Sequence, residues 1–527
     1  MPVIKVNVKW GGKKLENIEL DTDQPGIVFK TQLYTVTGVP PERQKIMAKG
    51  GMLKDDADMN SLGWKEGQQI MMMGTAGELP KAPEKQTMFV EDMTDAQIAQ
   101  ALKLPAGLVN MGNTCYMNAT LQCLRAIPEL QSALVKMPSA IGVDGRENLA
   151  LSMRTLFEEL EKSGDSVPPL VFLQVLRSVF PQFSEMDRGG YMQQDAEECW
   201  GQIVHALGAK VPGLTREGEL NTDKHFVDQY MTGELLSMLS CDEAPEEGST
   251  TSVDTFNKLR VNIGSGVSTY MLTDIAKGLE EKIEKNSPTL NRSAVYTKKS
   301  KISRLPAYLA INFVRFQWKP ETRTKAKILK VGSDKEDHPR WYNNGLSRIP
   351  RLQKVKFPFD LDMSEFCTPE LQEKLRPAKL RLKDVEEKKA AERKAKKVKL
   401  DEGPVVAGGS DTMETAPPAQ TDVDQKNVAS NLDQLEKMKE IGVDPSLYND
   451  IGANVSGQYD LVAVLTHIGR AADSGHYIGW VKHGEDQWWK FDDDKVSQIK
   501  PEDVEKLEGG GDWHTAYIAL YRTKKIE

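Results

Sequence analysis

The sequence predicts an α+β chain in two unequal parts, a small β-rich unit over residues 1–76 and a larger domain over residues 106–527. Three observations lead there. Apolar and polar residues alternate strictly at the start of the chain, the signature of a strand with one buried face. From about residue 108 to 179 the apolar residues recur mostly at helical spacing. Beyond about residue 258 the pattern becomes mixed and strand-rich, and it ends in clear strands. At roughly 100–200 residues per domain, 527 residues hold two to four domains, so core size is no constraint.

In the first unit, Ile4, Val6, Val8 and Trp10 alternate with Lys5, Asn7 and Lys9. Gly11-Gly12 signals a turn, and a second strand covers about residues 15–20. Asp23 is placed to cap a helix with Pro25 near its first position, and Gly38 to stop it. Ile27, Val28, Leu33 and Val36 are the expected inner face of that helix. Short apolar runs follow at Ile46 and Met47 and at residues 70–73. The order strand, strand, helix, strand, strand resembles a ubiquitin-like β-grasp. Val39-Pro40-Pro41-Glu42-Arg43-Gln44-Lys45-Ile46, followed by Gly50-Gly51-Met52-Leu53, resembles the matching stretch of ubiquitin itself. The unit does not end in Leu-Arg-Gly-Gly, so it is expected to be a docking module and not a conjugated modifier.

Residues 77–105 hold Pro80, Pro83 and scattered charges and are expected to be a linker. Residues 384–430 pass from a Lys/Glu/Ala run to Gly, Pro, Ser and Thr with few large apolar groups, and are expected to lack order. The basic stretch at 393–399 reads either as a solvated helix face or as a nuclear import signal.

Composition is that of an ordinary soluble protein, with 39% hydrophobic and 28% charged residues and a mean hydropathy of -0.49. A net charge of -8 argues against broad nucleic-acid binding, which needs a basic surface. The five cysteines, Cys115, Cys123, Cys199, Cys241 and Cys367, form no C-x-x-C pair. That argues against a structural zinc site and a disulfide scaffold, and fits a reducing compartment. No apolar run approaches the ~20 residues of a membrane helix, and the opening strand is no signal peptide. An intracellular protein, cytoplasmic and in part nuclear, is the expectation.

The chemistry concentrates at Asn110-Met111-Gly112-Asn113-Thr114-Cys115-Tyr116-Met117-Asn118. Asn and Gly crowd the turn before the cysteine, while Met117, Leu121 and Leu124 recur at helical spacing after it. Cys115 should therefore open a helix, where free amides and the helix dipole favour a thiolate. The other four cysteines read as buried small hydrophobes. Asn110 and the Cys115 amide are suitable oxyanion donors, although Asn110 alone is as readily a turn residue. Among seven histidines His476 stands out, because it opens the strand pattern His476-Tyr477-Ile478-Gly479-Trp480-Val481 directly after the glycine-bounded loop 469–475. His467, before that loop, is its rival. An acid from Asp492-Asp493-Asp494 could return beside His476 after a hairpin and orient it, or the three could form a solvated turn.

These residues resemble a known family. The segment 110–118 is similar to the cysteine box of the ubiquitin-specific proteases. Ser474-Gly475-His476-Tyr477 with Trp488-Trp489-Lys490-Phe491-Asp492-Asp493 is similar to their histidine box. Tyr191-Met192-Gln193-Gln194-Asp195-Ala196-Glu197-Glu198 resembles a third block, which meets the basic tail of ubiquitin. With the amino-terminal ubiquitin-like unit, the layout resembles the proteasome-associated type of that family. The resemblance implies a papain-like core with thumb, palm and fingers and no cofactor. It implies Cys115 as nucleophile, His476 as base, Asp492 as orienting acid and Asn110 as oxyanion donor, with Gln193, Asp195 and Tyr477 meeting substrate. The implied partners are ubiquitin, polyubiquitinated proteins and, through the ubiquitin-like unit, the 26S proteasome regulatory particle. Surface loops, residues 469–475 among them, would cover the tail channel of the free enzyme.

One departure is an insertion at 331–353, where that type runs almost directly from Lys327-Ile328-Leu329-Lys330 into Lys354-Val355-Lys356-Phe357-Pro358. Two competing functions remain at this stage: an adaptor that binds ubiquitin without cleaving it, and a general papain-like peptidase.

Overall fold

In the computed structural model, the described residues are 3–48, 51–76, 104–138, 142, 144–187, 189–263, 270–319, 324–330, 351–352, 354–400, 432–484, 486–509 and 513–526. The chain divides into two compact units, Met1–Met93 and Thr94–Glu527. The expected linker at 77–105 falls almost wholly outside the described residues, as do most of the 331–353 insertion and residues 401–430 of the stretch expected to lack order.

The amino-terminal unit has strands β1 (Val3–Trp10), β2 (Lys13–Asp21), β3 (Lys45–Ala48), β4 (Gly51–Met52) and β5 (Gln69–Met73) around helix α1 (Gly26–Thr37). The sheet order is β2-β1-β5-β3-β4, with β1 and β5 parallel and Val8 opposite Ile70. That is the β-grasp arrangement. Val6, Val8, Ile46, Ile70 and Met72 point inward and meet Phe29 and Leu33 of α1.

The expected helix face needs correction. Only Leu33 of the four named residues is buried; Ile27, Val28 and Val36 are exposed. At about 100° per residue, Ile27 and Val28 lie more than 100° round the helix from Leu33, whereas Phe29, Leu33 and Thr37 share a stripe; Val36, on the flank of that stripe, is 52% exposed. Lys30 joins that stripe because its stem is covered while its ammonium reaches Asp55 at 2.7 Å. Asp23 is not the cap either: Pro25 takes the N-cap position. Gly38 ends the helix as expected, at φ 68°.

The larger unit begins with a helical lobe of α2 (Cys115–Arg125), α3 (Pro128–Lys136), α4 (Gly145–Lys162), α5 (Leu170–Val179), α6 (Ala196–Lys210) and α7 (Phe226–Tyr230). Two hairpins sit within it, β6 (Met186–Asp187) with β7 (Gly190–Tyr191) and β8 (Pro212–Leu214) with β9 (Leu220–His225). A four-stranded antiparallel sheet follows, ordered β11 (Ser249–Phe256), β10 (Gly233–Cys241), β14 (Arg292–Arg304) and β13 (Glu280–Ser287). Helix α8 (Met271–Gly278) leads into β13.

The central sheet runs β12 (Leu259–Asn262), β15 (Tyr308–Val314), β25 (Thr515–Thr523), β21 (Gln458–Ile468), β22 (His476–Lys482), β23 (Trp488–Asp492) and β24 (Lys495–Ile499). β20 (Asp360–Asp362) adds to β21. Both faces are buried, and the strand period sorts its residues between two cores. Ala463, Leu465, Ile518 and Leu520 face the helical lobe, while Val464, Ala519 and Tyr521 face the opposite core. Leu371, Leu375 and Ala378 of α9 (Pro369–Leu400) join that opposite core. Two further hairpins, β16 (Phe316–Lys319) with β17 (Thr324–Lys327) and β18 (Leu329–Lys330) with β19 (Arg351–Leu352), follow β15. The second pair brings the two ends of the 331–353 insertion together.

Helix α9 corrects the expectation for residues 384–400, which are helical. Its first half is docked on a core, so the helix is already nucleated, and a Lys/Glu/Ala run extends it at little cost. Judged by its own burial alone, the segment looked unable to order. No described helix is long and apolar enough to cross a membrane.

Candidate active site

Helix α2 is the central helix of the larger unit, and every residue from Cys115 to Leu124 is buried. It packs against β21, β22, β23 and α6. The turn that delivers Cys115 puts two consecutive residues, Gly112 and Asn113, at φ 91° and 55°, a conformation Gly and Asn accept most readily. The Asn110 side-chain oxygen closes this turn by accepting from the amides of Gly112 (3.0 Å) and Thr114 (3.2 Å). Cys115 is the first residue of α2, as the spacing predicts.

His476 opens β22 directly after Gly475, whose φ of 98° suits glycine and whose α-carbon faces the Ile468 carbonyl too closely for a side chain. The β22–β23 hairpin returns Asp492 to it, and His476 Nε2 lies 2.7 Å from Asp492 Oδ1. The Cys115 thiol also acts on the His476 ring as a hydrogen-bond partner. With Nε2 committed to the carboxylate, Nδ1 is the nitrogen left for sulfur. The bond to Asp492, then that to Cys115, raise the His476 pKa from 6.5 to about 10 against the opposing effect of burial. The imidazolium therefore persists through neutral pH and is lost only as pH rises past about 10. Asp492 is held well below the usual carboxylate range by His476, with Lys490 at 2.9 Å assisting.

The rival His467 is fully buried. Its Nε2 lies 2.8 Å from the Ser474 carbonyl, and burial first, then nearby Lys327, push its pKa down to about 3. It packs against Phe316 and Tyr477 and holds the 469–475 loop from beneath.

Asp493, which the sequence left as one of three consecutive acids, has a separate place. It sits at φ 55° and accepts from Asn110 Nδ2 (2.8 Å) and Asn118 Nδ2 (2.9 Å). Its backbone oxygen accepts from Leu108 N at 2.9 Å. Gly107 makes this approach possible, since a β-carbon there would lie 2.6 Å from the Asp493 oxygen. One carboxylate thus ties the segment before Cys115, helix α2 and the β23 turn together. The signal available beforehand was only a polar turn after a strand.

The third block lies at the start of α6. Asp195 is its N-cap, accepting from Glu197 N at 2.9 Å, and it also accepts from Tyr517 OH at 2.8 Å. Its other oxygen pairs with Lys325 of β17 at 3.0 Å, and Glu198 lies 3.7 Å from the same ammonium. Burial opposes the Lys325 charge, but Asp195 more than offsets it and the pKa is raised. Gln193 is 8% exposed, and its side-chain nitrogen has no partner among the described residues. β17 is in turn stitched to the 469–475 loop through Ala472 N to Lys325 O (3.0 Å) and Lys327 N to Arg470 O (2.8 Å). Tyr477, which the resemblance implies meets substrate, is fully buried, and its hydroxyl donates to the Ala472 carbonyl at 3.0 Å, where it supports this loop. All five cysteines are free and buried.

A buried cysteine at a helix start, hydrogen-bonded to a carboxylate-held histidine, defines a thiol-hydrolase site. Residues 106–521 match the model of the family described as "Ubiquitin carboxyl-terminal hydrolase", and residues 4–77 match that of the "Ubiquitin family". The chain is 42% identical to ubiquitin carboxyl-terminal hydrolase 7 of Arabidopsis thaliana, over 99% of this chain and 100% of that one. It is 41% identical to ubiquitin carboxyl-terminal hydrolase 6 of Schizosaccharomyces pombe, over 99% and 100%. It is 34% identical to ubiquitin carboxyl-terminal hydrolase 14 of Caenorhabditis elegans, over 100% and 94%. The chain belongs to the ubiquitin carboxyl-terminal hydrolase family, as a ubiquitin-specific protease with an amino-terminal ubiquitin-like domain. It is a thiol-dependent ubiquitin hydrolase.

Asp493→Asn keeps the shape of the turn but replaces one of two accepting oxygens by a donor. It should lower kcat on a fluorogenic ubiquitin ester by roughly ten- to a hundredfold, because Asn110 loses its anchor, with KM little changed. An unaltered kcat would show that the Asp493 bridge is not needed for turnover.

Proposed function

We propose that this chain is a proteasome-associated deubiquitinase that hydrolyses the isopeptide bond between ubiquitin's terminal glycine and a lysine ε-amine. It would release ubiquitin from proteasome-bound conjugates and trim their chains, in the cytoplasm and in part the nucleus. The observation that carries the catalytic reading is the double engagement of His476 by Cys115 and Asp492.

In this reading the Cys115 thiolate attacks the glycine carbonyl, and the oxyanion is held by the Cys115 amide and Asn110. Asn110 gives one side-chain N–H to Asp493 and keeps a second to offer. His476 gives its proton to the leaving amine as the C–N bond breaks, leaving a thioester. Water then attacks that thioester while His476 takes its proton, and the thiolate leaves. Asp492 keeps the imidazole oriented throughout. Asp195 and Gln193 recognise the basic tail of ubiquitin. Lys325 occupies Asp195 beforehand, which supports a cover over the tail channel formed by β17 and the 469–475 loop together. The ubiquitin-like domain docks on the proteasome regulatory particle.

Cys115→Ala should abolish ester hydrolysis while preserving ubiquitin binding by calorimetry; residual turnover at the wild-type rate would refute the nucleophile. Labelling with a ubiquitin that carries a thiol-reactive terminus, with and without proteasomes, separates the hydrolase from a non-cleaving adaptor.

The imidazolium supplies the leaving-group proton, so the alkaline limb of kcat/KM should fall near pH 10. In Asp492→Asn the largest cause of the raised pKa is gone, and the limb should move toward 6.5, the ordinary imidazole value. A profile with the same limb in both proteins would contradict this.

Lys325→Ala should lower KM for the ubiquitin ester two- to fivefold with kcat little changed, the factor a half-exposed ion pair of about 0.5–1 kcal/mol can hold back. A raised KM would mean that Lys325 helps substrate instead of excluding it.

A further inference from the structure

The outer face of the ubiquitin-like sheet is built from methionine. β5 alternates, so Met72 enters the core while Met71 and Met73 point away from α1. Met47 of β3 and Met52 of β4 stand opposite one another on the same outer face. These four side chains are between 51% and 58% exposed. Lys9 pairs with Met71 and Lys45 with Met73 across the ladder, so two ammonium groups border the patch. No carboxylate occupies an outward position of β1, β3, β4 or β5 among the described residues. An apolar patch with a basic border suits an apolar segment flanked by carboxylates. Side chains of leucine or isoleucine would serve that purpose equally well. Thioethers add softness and, unlike leucine, a reactive atom.

We propose that this face is the docking surface of the ubiquitin-like domain, and that oxidation of its thioethers releases the enzyme from its partner. The inference rests on the docking reading above and names the occupant as an acidic-flanked apolar segment of the proteasome regulatory particle. In the oxidation, a methionine sulfur lone pair attacks one oxygen of hydrogen peroxide and the O–O bond breaks. The sulfur is oxidised by two electrons to the sulfoxide, and the peroxide is reduced to water. The sulfoxide is polar and chiral, so burying it beneath an apolar segment leaves an oxygen without a partner. The amino-terminal unit contains no cysteine, and its other described methionines, Met59 and Met72, are each 1% exposed. Met186 and Met238 of the larger unit are exposed as well, so the leucine variant below is what assigns the response to this face.

The test uses the full-length Cys115→Ala protein in both arms, so that the active-site thiol cannot contribute. Binding to purified proteasome regulatory particles is measured before and after hydrogen peroxide, with sulfoxides located by mass spectrometry. The expected result is at least an about tenfold loss of affinity on oxidation of the four positions. Methionine sulfoxide reductases of both epimer specificities should restore it. A variant with Met47→Leu, Met52→Leu, Met71→Leu and Met73→Leu should dock as before and ignore peroxide. Unchanged affinity with all four sulfoxides verified, or equal loss in the leucine variant, overturns the proposal while leaving docking itself intact. Absence of docking before any peroxide is added overturns the docking reading and this inference with it.

Discussion

The larger unit is organised around one hydrogen-bonded contact, that of His476 with a sulfur from a helix and an oxygen from a neighbouring strand. Charge-assisted bonds of this kind contribute about 1.5–3 kcal/mol each, and they depend steeply on geometry. That geometry is set by burying α2 against β22 and α6, so the largest apolar core of the chain also fixes the distance between Cys115 and His476. Cys123 shows what the surroundings decide. It lies on the same helix and is equally buried, and burial pushes its thiol up to about 12. Cys115 differs in standing at the helix start beside a cationic imidazole. Fold and position in the helix separate a reactive sulfur from an inert one.

The contacts that maintain this arrangement are redundant on the side away from solvent. The segment 107–110 is bound by backbone bonds to Asp493 and Val167, by Asn118, and by the Asp493 carboxylate. The central sheet is sandwiched, with one core on each face, so neither α2 nor β22 can shift without disturbing packing on both sides. The covering elements are built differently. β16 and β17 form a two-stranded hairpin held to the 469–475 loop by two backbone bonds and to the start of α6 by Lys325. Local opening of such a hairpin costs far less than any movement of the sheet beneath it.

Much of this was legible in the residues. Cys115 at a helix start, His476 at a strand start and an acid returning through a hairpin all follow from local pattern. Cys115 and His476 meet as expected because each lies at the end of a strongly specified element. What local pattern missed were properties set by neighbours. The buried face of α1 is decided by where the helix crosses the sheet, so three exposed apolar residues misled the reading and Phe29 was overlooked. Residues 384–400 are helical because residues 369–382 are docked, a fact external to the segment. The burial of Tyr477 was not read either: the strand alternation that exposes His476 turns Tyr477 inward. The division of labour between Asp492 and Asp493 could not be read from three identical letters, since it arises from a left-handed turn and the approach of Gly107.

The Lys325–Asp195 pair bears on how a buried carboxylate can exist at all. A carboxylate 6% exposed carries a desolvation cost, which the bonds from Glu197 N and Tyr517 OH and the half-exposed Lys325 ammonium offset together. Asp195 cannot easily turn away, because Glu197 N and Tyr517 OH hold one of its oxygens and it caps α6. A lysine from the cover satisfies the other oxygen. When a cationic substrate residue replaces that lysine, one ion pair is exchanged for another, and at no stage must a bare carboxylate be buried. Displacement is then governed by the difference between the two cations. A guanidinium that binds in a bidentate fork has the advantage over a single ammonium that must also hold a hairpin in place. In the proposed reading the cover therefore preserves the site that it blocks, because the carboxylate assigned to substrate recognition is the one that Lys325 holds in the closed form.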